Sequence, residues 1–224
     1  MKHTLEIDSI ILEFGAKRVL QDVFIRAETG RVTGILGLNG SGKSCLMKIV
    51  FGEEKTNNKS VRIDGQTISE KTNISDEVKY LPQFTFIPVN LSISRIFKDF
   101  DLDFSLFIGH FPEFEKFFHT KLKELSGGER RIVEIYSILA SKAKFCMLDE
   151  PFSQVMPVHV ESLKLLINKE KQNKGIIVTD HLYRQIIDVC DDIYALFNGK
   201  TYLTKDPSDL VKLGYLKENN LVDI

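Results

Sequence analysis

Apolar positions alternate in short runs near the start of the chain and recur at helical spacing further along. Residues 5–11, 19–27 and 31–36 read as strands, with Gly15 and Gly30 marking turns between them. A glycine-rich loop follows at 37–44, and residues 45–51 continue from it as a helix. Residues 60–63 and 78–80 read as a further strand pair joined by the Asp64-Gly65 turn. Later segments predict a helix at 128–141, an apolar strand at 145–148, a helix at 158–171, a strand at 175–179 and a helix from Leu182. A last strand pair, 193–197 and 200–203, turns on Asn198-Gly199. Strands alternating with helices imply an α/β fold: a parallel sheet with helices on both faces.

Between these blocks the chain changes character. Ten of its 16 phenylalanines lie between Phe84 and Phe118. Phe97, Phe100, Phe104, Phe107, Phe111, Phe114 and Phe118 alternate spacings of three and four, a helical stripe. Gly109 and Pro112 predict that the stripe breaks into short helices, with Pro112 suited to a first helical turn. The rings read mainly as the core of a small helical lobe, because apolar stripes usually face inward. A docking surface for a partner is the alternative.

Composition narrows the function classes. The chain has 224 residues, 30 basic against 31 acidic, for a net charge of −1. That balance leaves no basic footprint for nucleic acid and no polybasic membrane anchor. Cys45, Cys146 and Cys190 are scattered, with no CxxC pair, so a reducing cytoplasm is expected rather than a disulfide framework or zinc site. No signal peptide or membrane-spanning stretch is read, so any membrane role is expected to run through a partner.

Three segments carry chemistry. Gly37-Leu38-Asn39-Gly40-Ser41-Gly42-Lys43-Ser44 matches the phosphate-cradling loop G-x-x-x-x-G-K-[ST]. Its backbone N–H groups would wrap phosphate at the positive end of the next helix, Lys43 would reach the outer phosphates, and the Ser44 hydroxyl would ligate Mg²⁺. The apolar run at 145–148 ends in Asp149-Glu150, a carboxylate for the metal's shell and a second one to orient or deprotonate water. Leu125-Ser126-Gly127-Gly128-Glu129 opens a helix with Ser126 as N-cap and exposed N–H groups, a second anion site suited to a γ-phosphate.

In that order, these segments resemble the Walker A, signature and Walker B motifs of the ABC ATPases, over about residues 5–209. The resemblance implies a P-loop, RecA-like core with an antiparallel β lobe. It also implies a single domain over 1–224, with the small helical lobe inserted at about 84–130. It further implies that Gln83 is the Q-loop glutamine touching Mg²⁺ and the attacking water, that His181 is the switch histidine contacting the γ-phosphate, and that Phe14 stacks on adenine. Two subunits, identical ones in the simplest case, would pack head to tail. ATP on the loop of one would be covered by Ser126, Gly127 and Gly128 of the other, with Glu150 driving hydrolysis. Where family members usually carry a D-loop aspartate, this chain has Met156, which puts coupling between the two sites in doubt while leaving slow hydrolysis expected.

The function implied is the ATP-hydrolysing subunit of a membrane transporter. It would lie at the inner face of the cell membrane through transmembrane partner subunits that dock near Gln83 and the phenylalanine-rich lobe. A soluble ABC ATPase acting on ribosomes or DNA is disfavoured, since tandem cassettes, long coiled-coil insertions and basic extensions are missing from the sequence. A regulatory nucleotide-binding module with little turnover is kept open by Met156. The segment at 176–194 is similar to ATPases of lipopolysaccharide export and of branched-chain amino acid import.

Overall fold

In the computed structural model the described residues are 2–56, 58–68, 74–204, 206–213 and 215. The chain starts as an antiparallel sheet. Strand β1 (Thr4–Phe14) pairs with β2 (Lys17–Leu20) and with β3 (Phe24–Glu28). After β4 (Val32–Leu36) and α1 (Lys43–Phe51), strands β5 (Asn58–Ile63) and β6 (Gln66–Thr67) complete this sheet against β1. Alternation puts Leu5 and Ile7 into the core, and a bulge with Ser9 at φ 57° resets the register so that Ile10 and Leu12 also point inward. The predicted 19–27 strand is two strands, broken at residues 21–23, where Gln21 and Asp22 turn out to Gly199 O.

The second sheet is the RecA-like core. It is built from β7 (Val78–Leu81), β8 (Phe145–Asp149), β9 (Gly175–Thr179), β10 (Asp192–Phe197) and β11 (Lys200–Thr204), with β4 in its midst. Its order is β11-β10-β4-β9-β8-β7, parallel throughout except for the β10–β11 hairpin. Asn198 and Gly199 both adopt positive φ in that hairpin turn, as the Asn-Gly pair predicts. Strands β4, β8 and β9 are buried along their whole length, which is why they read as unbroken apolar runs. The predicted pairing of 60–63 with 78–80 does not form. Asp64-Gly65 turns β5 into the short β6, and β7 instead lies parallel to β8 in the other sheet.

Between β7 and β8 come α2 (Ile93–Asp99), α3 (Phe104–His110), a 3₁₀ turn Pro112–Phe117, and α4 (Gly127–Leu139). The stripe breaks after His110, with Pro112 at the first position of the turn, as its ring requires. Phe97, Phe107, Phe111 and Phe114 are buried, and Phe107 sits at the centre, 5.2 Å from Phe97, 5.1 Å from Phe114 and 4.8 Å from Tyr136 of α4. Such tilted ring pairs are worth about 0.5–1.5 kcal/mol each beyond the area they bury. Most of the stripe is therefore core, while Phe84 and Phe100 face solvent. Helices α5 (Pro157–Glu170), α6 (Tyr183–Val189) and α7 (Pro207–Lys212) are the remaining α-helices among the described residues. Among the described residues no helix is long and apolar enough to cross a membrane.

Candidate functional site

The C-terminal ends of β4, β8 and β9 lie side by side, and each delivers a loop to the same edge. From β4 comes the glycine-rich loop. Gly40 at φ 77° and Gly42 at φ 106° hold backbone conformations that favour glycine. A Cβ on Gly37 would sit 2.6 Å from Ser41 Oγ and 2.9 Å from Leu196 O, so the loop is wound tightly against β10. Lys43, buried at the start of α1, folds back to donate to Gly37 O at 2.7 Å and Leu38 O at 3.2 Å. Burial lowers its ammonium pKa, opposed by the carboxylates of Glu150, Asp149 and Asp180. The Ser41 hydroxyl is buried there without a hydrogen-bond partner, a polar atom of the kind an anionic ligand satisfies.

Next to the loop, Gln83 Nε2 donates to Ser44 Oγ at 2.8 Å and lies 3.3 Å from Asp149 Oδ1. Asp149 is fully buried, and Thr179 Oγ1 donates to its Oδ1 at 2.7 Å while the Tyr80 hydroxyl donates to Oδ2 at 3.2 Å. Register explains the first of these bonds, since Asp149 and Thr179 are direct partners across β8 and β9. Burial and the nearby Asp149 charge push the Tyr80 hydroxyl pKa upward, so it stays a donor. The Ser44 hydroxyl and the Asp149 carboxylate, bridged by the Gln83 amide nitrogen, bring together oxygen ligands of the kind a small hard cation such as Mg²⁺ takes.

Glu150 follows Asp149 at φ 50°, a left-handed conformation that costs a non-glycine residue roughly 1–3 kcal/mol and tends to mark functional turns. Its N–H donates to Thr179 O at 2.8 Å. From β9 comes His181, half-exposed, with Nδ1 3.7 Å from Glu150 Oε2 and 3.6 Å from Asp180 Oδ1. The buried Asp180 orders the neighbourhood, accepting from Phe152 N, Ser153 Oγ and Leu182 N, each at 3.0 Å. Ser153 Oγ also lies 3.3 Å from His181 Nδ1.

A cavity of about 570 Å³ is lined by Phe14, Asn39, Gly40, Ser41, Gly42, Lys43, Ser44, Gln83, Glu150 and His181, so these candidates share one space. Phe14 stands at its rim, more than half exposed. Asp149 lies buried behind Gln83, and Leu38 opens onto a neighbouring cavity of about 390 Å³. Ser126, Gly127 and Gly128 are not brought to this space. They form the tip of α4, with Ser126 and Glu129 in a reciprocal capping box. Ser126 and Gly127 are exposed, and a Cβ on Gly128 would lie 3.1 Å from Gln154 O.

Sequence reasoning passed over several residues here. Thr179 and Asp180 order the site, and Lys17, Val19 and Cys45 line the cavity. Arg131 and Glu134 on α4 are both fully buried. Arg131 donates to Pro82 O at 2.7 Å and to Asp149 O at 2.8 Å, and Glu134 Oε1 accepts from Phe86 N at 3.0 Å and Ile87 N at 3.3 Å. The available signal was Arg131's place at helical spacing among the buried residues of α4, where a surface charge has no room.

Residues 20–153, which hold the loop, the α4 tip and the Asp-Glu pair, match the family model described as ABC transporter. The chain belongs to the ABC transporter family. This ABC ATPase is 30% identical to the "Lipopolysaccharide export system ATP-binding protein LptB" of Haemophilus influenzae, over 96% of this chain and 97% of that one. Its identity to the protein of the same name from Escherichia coli K12 is also 30%, over 96% and 95% of the two chains. It is 28% identical to the "Galactose/methyl galactoside import ATP-binding protein MglA" of Clostridium perfringens, over 92% of this chain and 43% of that protein. Among solved structures, the "Structure of ATP binding subunit of ABC transporter" superposes with a TM-score of 0.81 at 20% identity, covering 98% of each chain. The fold of this ABC ATPase is that of an ATP-binding cassette.

Proposed function

We propose that this ABC ATPase subunit binds Mg-ATP in the cavity at the ends of β4, β8 and β9, closes on it by pairing head to tail with a second copy, and drives transmembrane transporter subunits. A single domain over 1–224 with a helical lobe at about 84–130 is part of that proposal. The observation that carries it is the hydrogen-bonded convergence of Ser44, Gln83 and Asp149 beside Lys43, Glu150 and His181.

In this reading the N–H groups of Gly40, Gly42 and Lys43 and the Lys43 ammonium cradle the phosphates, with Phe14 against the base. Ser44, Asp149 and Gln83 would hold Mg²⁺, which when bound neutralises charge on the outer phosphates. Glu150 takes a proton from the water that attacks the γ-phosphorus. His181 donates to the γ-phosphate as the bond to ADP breaks. Ser126, Gly127 and Gly128 do not line the cavity of their own chain, and although the Ser126 N–H is taken by Glu129, the Ser126 hydroxyl and the N–H groups of Gly127 and Gly128 at the positive end of α4 suit the γ-phosphate of a second copy. Relatives named for export and for import share this cassette, which supports placing cargo choice in the membrane partners. Those partners would hold the subunit at the membrane.

Glu150→Gln tests the arrangement. It should bind Mg-ATP, fail to release phosphate and sediment as a dimer only with ATP. A variant that stays monomeric with ATP while still hydrolysing it would overturn the role of Glu150.

A further inference from the structure

The Arg131–Glu134 pair ties three parts of the site to one helix. Gln83 lies on the segment from Pro82 to Pro88, which has no regular structure. One end of that segment is held by Arg131 through Pro82 O, and the other by Glu134 through Phe86 N and Ile87 N. Only Gln83, Phe84 and Thr85 lie between the anchors. The second nitrogen of the Arg131 fork grips the carbonyl of Asp149, the peptide that leads into the strained Glu150. Arg131 Nη1 and Glu134 Oε2 lie 3.7 Å apart, one turn along α4, and both side chains are 1% exposed. A charge buried this deeply is tolerated only when its partners are fixed, and it resists any displacement that would strand them. The carbonyl of Gln83 has a further restraint, accepting from Gln154 Nε2 at 3.2 Å.

We propose that Arg131 and Glu134 are positioning residues that fasten the Gln83 segment and the Asp149–Glu150 peptide to α4, and so hold the Gln83 amide against Ser44 and Asp149. The inference deepens the nucleotide reading above and rests on it for its kinetic part. Its physical content is that cutting the clamp loosens Gln83 and slows hydrolysis without weakening the grip of the glycine-rich loop. That loop is built on β4 and α1 and touches neither residue.

The chain contains no tryptophan, so Phe84→Trp places a single fluorophore on the exposed middle of the clamped segment. In that background three variants are compared for tryptophan anisotropy, iodide quenching, ATP affinity and kcat. Glu134→Ala should lower the anisotropy, raise the quenching constant and cut kcat about tenfold, as misplacement of a positioned group does. The ATP Kd should stay within about twofold, since ground-state binding is not what the clamp provides. Glu134→Gln keeps an oxygen for both N–H groups and should remain near the parent in anisotropy. Arg131→Lys cannot reach both carbonyls and should fall between the two. Parental anisotropy and kcat in Glu134→Ala overturn the proposal, as does a Kd that worsens in step with kcat. If Glu134→Ala does not fold, parental anisotropy in Arg131→Lys overturns it equally. A parent that turns over no ATP would sink the nucleotide reading, while the anisotropy comparison would still decide the clamp.

Discussion

Lys174 gives the most demanding stability prediction. It sits in the turn between α5 and β9, 4% exposed, and its ammonium donates to Leu139 O and Ser141 O at the C-terminal end of α4. The last carbonyls of a helix lack partners within it, and a cation there also meets the negative end of the helix dipole. Glu170 Oε2 lies 3.3 Å away with its side chain 18% exposed. Lys174→Met keeps the length and apolar stem but removes the donor, leaving the buried carbonyl of Leu139, the partly buried carbonyl of Ser141 and the mostly buried Glu170 carboxylate without their cation. Breaking a fully buried pair costs about 3–5 kcal/mol, and the residual exposure of Glu170 discounts this to about 2–3 kcal/mol. At about 2–4 °C per kcal/mol for a chain of this size, the melting temperature should fall by about 4–12 °C. Scanning calorimetry with and without Mg-ATP reads it. Because the far tip of α4 is capped independently by Ser126 and Glu129, that end should keep its geometry. A melting temperature within a degree or so of the parent would refute the view that Lys174 caps α4.

Met156 occupies the N-cap of α5 without a side-chain acceptor, so Met156→Asp should cap Val158 and His159 and raise stability by about 0.5–1 kcal/mol after the loss of a half-exposed methionine; a lowered melting temperature would contradict this. Gly34→Ala, in the middle of β4, would place its Cβ 2.7 Å from Ile186 Cγ2 and 2.8 Å from Cys190 Sγ, and should cost about 1–3 kcal/mol by denaturant titration. The Asp64 carboxyl is held below its ordinary range by the His3 ring and the Thr4 N–H. Its contribution is therefore present above the ordinary carboxylate pKa and lost as pH falls through the depressed folded value. Asp64→Asn keeps the left-handed turn and should flatten the acid limb of the stability curve below pH of about 4, by less than about 1 kcal/mol because the group is exposed. An acid limb identical to the parent's would contradict it.

What could be read in the chain was local in origin. The loop from Gly37 to Ser44, the apolar strand ending at Asp149 and the turn at Asn198-Gly199 each announce themselves within a few residues. Their elements stand where period and turn chemistry place them. The errors were long-range. Residues 78–80 look like the return strand of a hairpin, yet β7 is an edge of the RecA-like sheet whose partner lies more than sixty residues on. Period alone does not choose between two sheets. Residues 19–27 carry enough apolar positions for one strand, and the break at Gln21 and Asp22 is imposed by the β10–β11 turn. Arg131 and Glu134 were passed over because the carbonyls and amides that bury them come from residues 82–87 and from Asp149, far away along the chain. The three residues at the α4 tip show a limit of another kind, since their proposed ligand belongs to a different molecule.

The central claim is that the loop from Gly37 to Ser44 grips nucleotide phosphates through its backbone and Lys43. Calorimetric titration of Mg-ATP into the purified chain, beside Lys43→Ala and with magnesium removed by chelation, tests it most directly. Saturable binding to the parent is expected, at least about tenfold weaker in Lys43→Ala, where a buried cation facing the phosphates is lost. Chelation should weaken it as well. Undiminished affinity in Lys43→Ala, or no binding by the parent, would contradict the claim.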